Sequence, residues 1–388
     1  MNKPNILLLE SYYGGSHKEF LTGLQQHLAC RFTLLSLPAR KWKMRMQLAA
    51  PWFAEQIAGL ISRGERFDVI LTSTFLDVAV LRSLLAGQGI RPPVAVYFHE
   101  NQFSYPGQLP DPGIVQFASI NFTSALCADR LAFNSRYNLE SFLNGVRTYL
   151  KKAKDMELRH LEDAIRTKSV VLYPGMDFRL IDAAGRAADG KKKPERRDRT
   201  DKAAWKNRLP VLVWNHRWEH DKNPDIFFHA LFDLAPNYAF RVIVLGEHFR
   251  EQPEIFSRAQ KILADRMLHF GYAESRAEYA SLLHCGDIIV STARHEFFGM
   301  AVLEGVRAGC RPLVPDRLSY QELFPDAYRY PENKNGFVRA LRQLLREPRP
   351  LTAAEAQKMT EPYSWDAVAG KYRQWLLGIR TPETDKPL

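Results

Sequence analysis

The sequence predicts an α/β protein built from two doubly wound domains. Short apolar runs alternate with helical segments along the chain, an alternation typical of parallel strands that are buried on both faces. The alternation stops in a polar stretch at residues 183–209 and restarts at Val211. A length of 388 residues also suits two domains better than one core.

Each half of the chain supplies its own set of expected strands. Those of the first half are residues 6–9, 32–35, 69–72, 94–98, 130–133 and 170–173. Those of the second half are residues 211–214, 240–245, 267–270, 288–291 and 311–314. Near the end, Trp365, Val368, Ala369, Tyr372 and Leu376 recur at helical spacing, which predicts a helix that packs on the body of the protein.

The composition along the chain sets the expected domain boundaries. We expect a first domain over 1–182, a basic linker or insertion over 183–209, a second domain over 210–362 and a returning C-terminal helix over 363–380. Residues 191–201 hold almost no aliphatic side chains, so they cannot bury a core. The cations at 191–199 could touch a polyanion, although a solvated charged loop explains them more simply.

The charge balance narrows the class of partner. Lys and Arg number 54 against 43 Asp and Glu, a formal charge of +11 that favours RNA or an acidic membrane surface. No apolar segment approaches the roughly 18 residues that cross a bilayer, and no signal-peptide pattern opens the chain, so we expect a cytoplasmic protein. Cys30, Cys127, Cys285 and Cys310 lack the paired spacing of a disulfide framework or zinc site.

The segment from Glu296 to Glu304 is the strongest functional signal. Two carboxylates flank a glycine turn that leads from a strand into a helix. If the helix begins near Gly299, its free N–H groups favour a diphosphate or sugar oxygens, and Glu304 could accept hydrogen bonds from a ribose diol. A helix that merely carries two glutamates is the alternative. The donor-binding candidates here are Phe298, Gly299, Met300, Ala301 and Glu304.

Two cations, Arg217 and Lys222, follow the first strand of the second half. Ligands of open α/β sheets bind beyond the carboxyl ends of the strands, so both side chains are placed to meet a pyrophosphate. The chain contains no Asp-x-Asp pair to hold a divalent metal. We therefore expect no metal and no cofactor, with Arg217, Lys222 and the helix N-terminus neutralising the leaving group.

The first half offers two polar loops after predicted strands. Gly14 and Gly15 precede an amphipathic helix and let backbone N–H groups approach an anion, although a tight turn alone would explain them. His99, Glu100, Asn101 and Gln102 close another strand. A lone histidine is usually structural, but four successive polar side chains are unusual for a simple connector.

The second half resembles glycosyltransferase family 4. Arg217 and Lys222 match its diphosphate pair, Glu296 and Glu304 its E-x7-E motif, and residues 171–177, 271–272 and 363–365 fit the same template. The resemblance implies the GT-B architecture, in which two Rossmann-like domains face a cleft and the C-terminal helix packs back on the N-terminal domain. It also implies retention of anomeric configuration, whether by same-face attack or by double displacement.

The first half is similar to the tRNA-queuosine mannosyltransferases at residues 10–18, 37–45 and 97–106. This resemblance implies GDP-mannose as donor and the cyclopentenediol of queuosine in the anticodon of tRNA-Asp as acceptor. It suggests His99, Glu296, Arg217 and Lys222 as catalytic residues. Gly14, Gly15, Gly271 and Tyr272 join the donor site, and the acceptor or tRNA contacts are Ser16, His17, Lys41, Lys43, Arg45, Glu100, Asn101 and Gln102.

Two alternatives stay open at the level of sequence. A family 4 transferase could act on a lipid or polysaccharide, with residues 40–52 on an acidic membrane, because Trp42, Met44, Met46 and Trp52 are interleaved with cations. An RNA-binding relative that has lost catalysis is the second alternative. The intact residues at 217, 222, 296 and 304 speak against it.

Overall fold

The computed structural model describes residues 3–104, 114–187, 209–247, 253–333, 335–347, 349 and 351–378. These residues form two compact units. The first contains the described residues up to Met176 together with those from Trp365 onward, and the second runs from Asp177 to Ser364.

The first unit is a parallel sheet covered by helices. Its strands are β1 Asn5–Tyr13, β2 Arg31–Pro38, β3 Val69–Ser73, β4 Val94–Phe98, β5 Arg130–Phe133 and β6 Ser169–Val171. Its first six helices are α1 Gly15–His27, α2 Trp42–Ser62, α3 Val78–Ala86, α4 Ile114–Cys127, α5 Arg136–Leu150 and α6 His160–Thr167. The strand order is β2-β1-β3-β4-β5-β6, with every neighbouring pair parallel.

Strand β1 shows why this sheet is buried on both faces. Leu7 and Leu9 pack into the hydrophobic cluster that contains Phe53, whereas the alternate side chains Ile6 and Leu8 pack into the opposite cluster. Successive side chains of a strand point to opposite faces, so an unbroken apolar run fills both cores. The order reverses between β1 and β3, which opens a crevice at their carboxyl ends.

The second unit repeats this design. Its strands are β7 Val211–Asn215, β8 Arg241–Leu245, β9 Met267–Gly271, β10 Ile288–Val290, β11 Arg311–Pro315 and β12 Arg329–Tyr330, in the parallel order β12-β11-β10-β7-β8-β9. Its helices are α7 Arg179–Ala187, α8 Pro224–Leu234, α9 Ile255–Ile262, α10 Arg276–Cys285, α11 Met300–Arg307, α12 Tyr320–Leu323, α13 Gly336–Arg346 and α14 Ala353–Thr360. The order reverses between β7 and β10.

The C-terminal helix α15, Trp365–Leu377, belongs to the first unit, as the sequence predicts. Trp365 is buried and fills the space beside Gly23 and Gly175, so neither position has room for a side chain. The hydroxyl of Tyr372 lies 3.0 Å from that of Tyr97 and 3.0 Å from the carbonyl oxygen of Tyr173. These contacts fasten the helix to one face of the first sheet.

All eleven predicted strands are present, and the structure adds the two-residue strand β12, which is too short to leave a periodic signal. Two predicted boundaries were wrong. The first unit ends at Met176 rather than at residue 182, because Asp182 pairs with Arg307 of the second unit at 2.8 Å. The linker does not begin at 183, since α7 continues to Ala187. Residues 188–208 of the predicted linker lie outside the described residues.

Candidate active site

Lys222 is a buried cation beyond the carboxyl end of β7. A short 3₁₀ turn over His220–Lys222 carries it inward. Its Nζ donates to the carbonyl oxygen of His295 at 2.8 Å, and lies 3.2 Å from Asp221 Oδ2 and 3.4 Å from Glu296 Oε2. Burial alone would lower the pKa of Lys222, but the two carboxylates outweigh it and raise the pKa. The ammonium therefore stays charged at neutral pH.

Glu296 is the counterpart of Lys222 in the loop after β10. Burial would raise the pKa of this carboxyl, but the charge of Lys222 outweighs it and lowers the pKa. The backbone N–H of Phe298 also donates to Oε1 at 3.4 Å. Glu296 is thus ionised and held in place at the switch point between β7 and β10, where open α/β sheets bind their ligands.

Helix α11 begins beside this ion pair, as the sequence predicts. Gly299 caps it with a φ of 107° in the left-handed region, no side chain caps the helix, and its first turn holds no acidic residue. A Cβ at Gly299 would lie 3.0 Å from Tyr320. Glycine is therefore favoured both by the left-handed backbone and by the lack of room for a side chain. The ring of Phe298 is buried and packs against Tyr363, and its carbonyl oxygen accepts from the hydroxyl of Ser319 at 2.8 Å, so this residue is fixed just before the helix. An uncapped helix N-terminus favours an anion.

Glu304 stands in the body of α11 and is held by residues that sequence reasoning missed. Its Oε1 accepts from Arg276 at 3.2 Å, and its Oε2 accepts from the hydroxyl of Tyr279. Asn215, the last residue of β7, donates to that hydroxyl at 2.6 Å. Arg276 and Tyr279 are three apart on α10, a spacing that puts them on one face, but nothing in the sequence links them to Glu304. Each carboxylate oxygen can still accept a second hydrogen bond.

The other donor candidates of the second unit lie at strand ends of the same sheet. Arg217 follows β7, and its side chain is 51% exposed with the guanidinium 3.2 Å from Glu219. Gly271 closes β9 with a φ of 135°, and no atom lies within 4 Å of the place where a Cβ would stand. Tyr272 is exposed. Met300 and Ala301 are half-buried in the first turn of α11.

In the first unit, His17 lies between two carboxylates. Its Nδ1 is 3.1 Å from Glu10 and its Nε2 is 3.4 Å from Glu100. Burial would lower the pKa of His17, but the two carboxylates outweigh burial and raise the pKa to about 10. Ser73 donates to Glu10 at 3.0 Å, and Thr74 donates to Glu100 at 2.6 Å. The strand ends of β1, β3 and β4 therefore share one polar cluster.

His99 lies against this cluster. Its ring centroid is 4.2 Å from that of His17. Burial is the main reason why the pKa of His99 lies well below its usual value, and the positive charge of His17 lowers this pKa further. His99 is thus neutral at physiological pH, whereas its neighbour is protonated. Two adjacent imidazoles with opposite protonation states can serve different roles, one as a fixed charge and one as a neutral hydrogen-bonding group.

Several acceptor candidates are buried and hydrogen-bonded within the first unit. Asn101 is buried, with its amide nitrogen donating to Asn138 at 2.8 Å and to Ser141 at 3.0 Å, and its expected contact with an acceptor stays a prediction. His17 is buried with both ring nitrogens on carboxylates, so it positions those groups and does not present a nitrogen to an acceptor. Gln102 is buried, and its backbone N–H donates to Asn121 at 2.9 Å.

The remaining candidates of the first unit lie at the N-termini of α1 and α2. Gly14 caps α1 without a side-chain hydrogen bond, Gly15 has a φ of 50°, and Ser16 is exposed in the first turn. A Cβ at Gly14 would lie 2.5 Å from that of Ala39. Of the cations at the start of α2, Lys41 and Lys43 are exposed and Arg45 is half-buried.

Sequence reasoning missed three residues of the polar cluster at the ends of β1, β3 and β4, namely Glu10, Ser73 and Thr74. Glu10 follows an apolar run inside β1, a weak signal that a buried carboxylate needs a partner.

Among the described residues, no group of three or more His, Cys, Asp and Glu could hold a metal ion. No helix in that part of the chain has both the length and the apolar character that spanning a membrane requires.

Solved structures with a similar fold are glycosyltransferases. HepE of Anabaena in complex with UDP has a TM-score of 0.65 at 14% identity, covering 97% of this chain and 100% of that one. The catalytic domain of starch synthase IV from Arabidopsis thaliana, bound to ADP and acarbose, has a TM-score of 0.66 at 11% identity, covering 97% and 99%. The two parallel six-stranded sheets of the present chain thus have the GT-B architecture.

Sequence comparison adds the family. Residues 5–176 match the family model for the N-terminal region of tRNA-queuosine alpha-mannosyltransferase, and residues 195–376 match glycosyl transferases group 1. The tRNA-queuosine alpha-mannosyltransferase of Drosophila melanogaster is 35% identical over 376 residues, which cover 95% of this chain and 94% of the relative. This chain therefore belongs to the tRNA-queuosine alpha-mannosyltransferase family.

Proposed function

We propose that this chain transfers mannose from GDP-mannose to the cyclopentenediol of queuosine in the anticodon of tRNA-Asp, with retention of configuration. The observation that carries the proposal is the Lys222–Glu296 pair beside the uncapped N-terminus of α11. The family relative named as a mannosyltransferase of tRNA queuosine supports the choice of substrates. A tRNA acceptor also makes the cytoplasm the compartment that we propose for the reaction.

The donor is proposed to lie across the strand ends of the second unit. Its diphosphate binds Arg217, Lys222 and the N–H groups at residues 299–301, because cations and a helix N-terminus both attract phosphate. Glu304, held by Tyr279 and Arg276, accepts from the ribose hydroxyls. Gly271 and Tyr272 lie at the carboxyl end of β9, where we place the base.

The chemistry proposed for this site needs stabilisation of a departing diphosphate. The bond between the anomeric carbon of mannose and the diphosphate oxygen breaks, and a bond from that carbon to an acceptor hydroxyl oxygen forms. The acceptor proton passes to the departing phosphate. Lys222 and Arg217 neutralise the charge that grows on this group, a contribution that we propose is made without a metal. Glu296 holds hydroxyls of the mannose.

Groups of the first unit complete the proposal. Helix α1 begins at Gly15 without a side-chain cap, so we assign the N–H groups of its first turn to an anion. His99, kept neutral by burial and by protonated His17, orients the sugar or the acceptor hydroxyl through a hydrogen bond. Glu100, fixed by Thr74 and His17, is the carboxylate that we assign to the acceptor diol.

The test is direct detection of the product. The full chain is incubated with GDP-mannose and with tRNA-Asp that contains or lacks queuosine, and nucleosides are measured by mass spectrometry. We expect one added hexose on the queuosine-containing tRNA alone. Parallel reactions with GDP-glucose and UDP-glucose identify the donor. No mass gain on the modified tRNA would overturn the proposed acceptor, and equal transfer from UDP-glucose would overturn the proposed donor.

A further inference from the structure

Helix α2 carries an apolar stripe on its outer face. Its inner face is buried through Met46, Ala49, Ala50, Phe53 and Ile57. On the other side, Met44 is 49% exposed, Leu48 is 58% exposed and Trp52 is 38% exposed. These three side chains are four residues apart, so they form one row about 12 Å long. Large apolar side chains aligned in this way on a surface mark a site of interaction.

Two of the cations at the start of α2 share that row. Met44, Arg45, Leu48 and Trp52 lie three, four, seven and eleven positions after Lys41, a pattern that places all five on one side of the helix. We call these five residues the α2 outer face. Lys43 lies off this face, where its Nζ is 5.8 Å from the ring of Trp42. The outer face is thus basic at one end and apolar along its length.

The basic end is electrostatically unfavourable in the unbound protein. The first turn of α2 contains no acidic residue and its N-terminus has no side-chain cap, so Lys41 and Arg45 add positive charge to the positive end of the helix dipole. Lys41 also adopts the left-handed backbone conformation, with a φ of 54°. Within the described part of the chain, the buried Nε of Arg45 has no hydrogen-bond partner. A bound anion would offset the uncompensated positive charge at this end of the helix.

We propose that the α2 outer face binds a single-stranded segment of the RNA acceptor, an inference that rests on the proposed function. Phosphates of the RNA contact Lys41 and Arg45, and unpaired bases stack on Trp52 and lie against Met44 and Leu48. Single-stranded RNA is recognised in this way, by cations that follow the backbone and by side chains that take splayed bases.

The charge pattern favours RNA over an anionic membrane. A helix that lies on a membrane buries a broad apolar face and carries cations along its polar face. Here the apolar part is one row of three side chains, and the cations are confined to the N-terminal end. Glu55 is exposed one turn beyond Trp52 and two turns beyond Leu48, where it would repel a continuous anionic surface. A discrete polyanion that engages one end of the face avoids this repulsion.

The experiment measures binding of a synthetic anticodon stem-loop of tRNA-Asp to the full chain by fluorescence anisotropy. Trp52→Ala and Leu48→Ala are compared with Leu84→Ala, which removes a similarly exposed leucine from α3. We expect Trp52→Ala to weaken loop binding about ten-fold, since stacked bases contribute this much. Trp52→Phe should retain most of the affinity, and Leu84→Ala should leave it unchanged.

The outcomes separate this inference from the proposed function. Binding of GDP-mannose should be the same in every variant, and binding of a blunt RNA duplex should not depend on Trp52. Equal loop affinity in Trp52→Ala and wild type would overturn the inference. So would a defect of Trp52→Ala that appears only in binding to vesicles of phosphatidylcholine and phosphatidylserine, or only in self-association measured by sedimentation. If the wild type binds the loop through Trp52 but adds no mannose, the inference stands and the proposed reaction fails.

Discussion

Lys222 and Glu296 form a largely buried ion pair, with Nζ 3.4 Å from Oε2, in the loops that follow two neighbouring strands of the second sheet. The carboxylate of Glu296 helps to raise the pKa of Lys222 against the effect of burial, and the ammonium of Lys222 lowers the pKa of Glu296 against the same effect. Both groups are therefore ionised at neutral pH. A cation already fixed at the strand ends needs no reorganisation when charge develops on a departing phosphate. This pair is therefore the centre of the proposed site.

Removal of Lys222 should impair both transfer and stability. In Lys222→Ala the carboxylates of Glu296 and Asp221 lose their cation, which should cost about 3 kcal/mol of unfolding free energy. Transfer should fall at least about a hundred-fold, because the departing diphosphate loses a charge partner. Urea unfolding and hexose transfer measure the two effects. Lys261→Ala, an exposed lysine of α9, is the control, and a Lys222→Ala variant as stable as this control would contradict the buried pair.

Arg217 should behave differently from Lys222. Its side chain is 51% exposed, so Arg217→Ala should change the unfolding free energy by no more than about 0.5 kcal/mol while transfer falls steeply. Arg339→Ala removes another exposed arginine of the second unit and should alter neither quantity. Turnover of Arg217→Ala at the level of Arg339→Ala would remove Arg217 from the proposed diphosphate site.

Glu304 should govern donor affinity. Glu304→Ala should weaken binding of GDP about ten-fold, as expected for the loss of a charge-assisted hydrogen bond to a ribose hydroxyl. Glu304→Gln keeps one acceptor oxygen and should lose less. Tyr279→Phe removes the hydroxyl that holds the carboxylate and should give an intermediate loss. Isothermal titration calorimetry with GDP measures all three, and unchanged affinity in Glu304→Ala would refute the assignment.

The protonation of His17 predicts a pH-dependent stability. The pKa of His17 is about 10 in the folded protein against an ordinary value of 6.5, because Glu10 and Glu100 hold the proton. The stabilisation is therefore fully present below pH 6.5 and is lost as the pH rises through about 10, with a slope of up to about 1.4 kcal/mol per pH unit. Chemical denaturation between these pH values should show the decline in wild type and a shallower one in His17→Asn. Equal slopes of stability against pH in the two proteins would contradict the assigned protonation of His17.

Gly14 should tolerate a side chain only if Ala39 gives way. The φ of Gly14 is extended, so its backbone permits any residue, but an added Cβ would lie 2.5 Å from the Cβ of Ala39. Gly14→Ala should thus cost about 1 to 3 kcal/mol through overpacking. Adding Ala39→Gly should restore most of the melting temperature. Without such rescue, the close approach would not be the reason for glycine at this position.

Much of the fold followed from local patterns. The apolar run at 6–9 specified a strand buried on both faces, and the row of apolar residues from Trp365 specified the final helix, because these elements depend on periodicity within a few residues. The turn at Gly299 likewise marked the start of α11. The boundary at residue 182 was misplaced for the opposite reason, since the partner of Asp182 is Arg307, distant in sequence.

The sequence by itself determined the two sheets, the order of their elements and the loops that carry Arg217, Lys222, Glu296 and Glu304. Only the tertiary structure decided which groups meet there: Tyr279 under Glu304, and His17 between Glu10 and Glu100, which is 83 residues away in the chain. Periodicity reports which face of an element is buried. The protonation states depend on distances between side chains from separate strands, and these exist only when the sheet has formed.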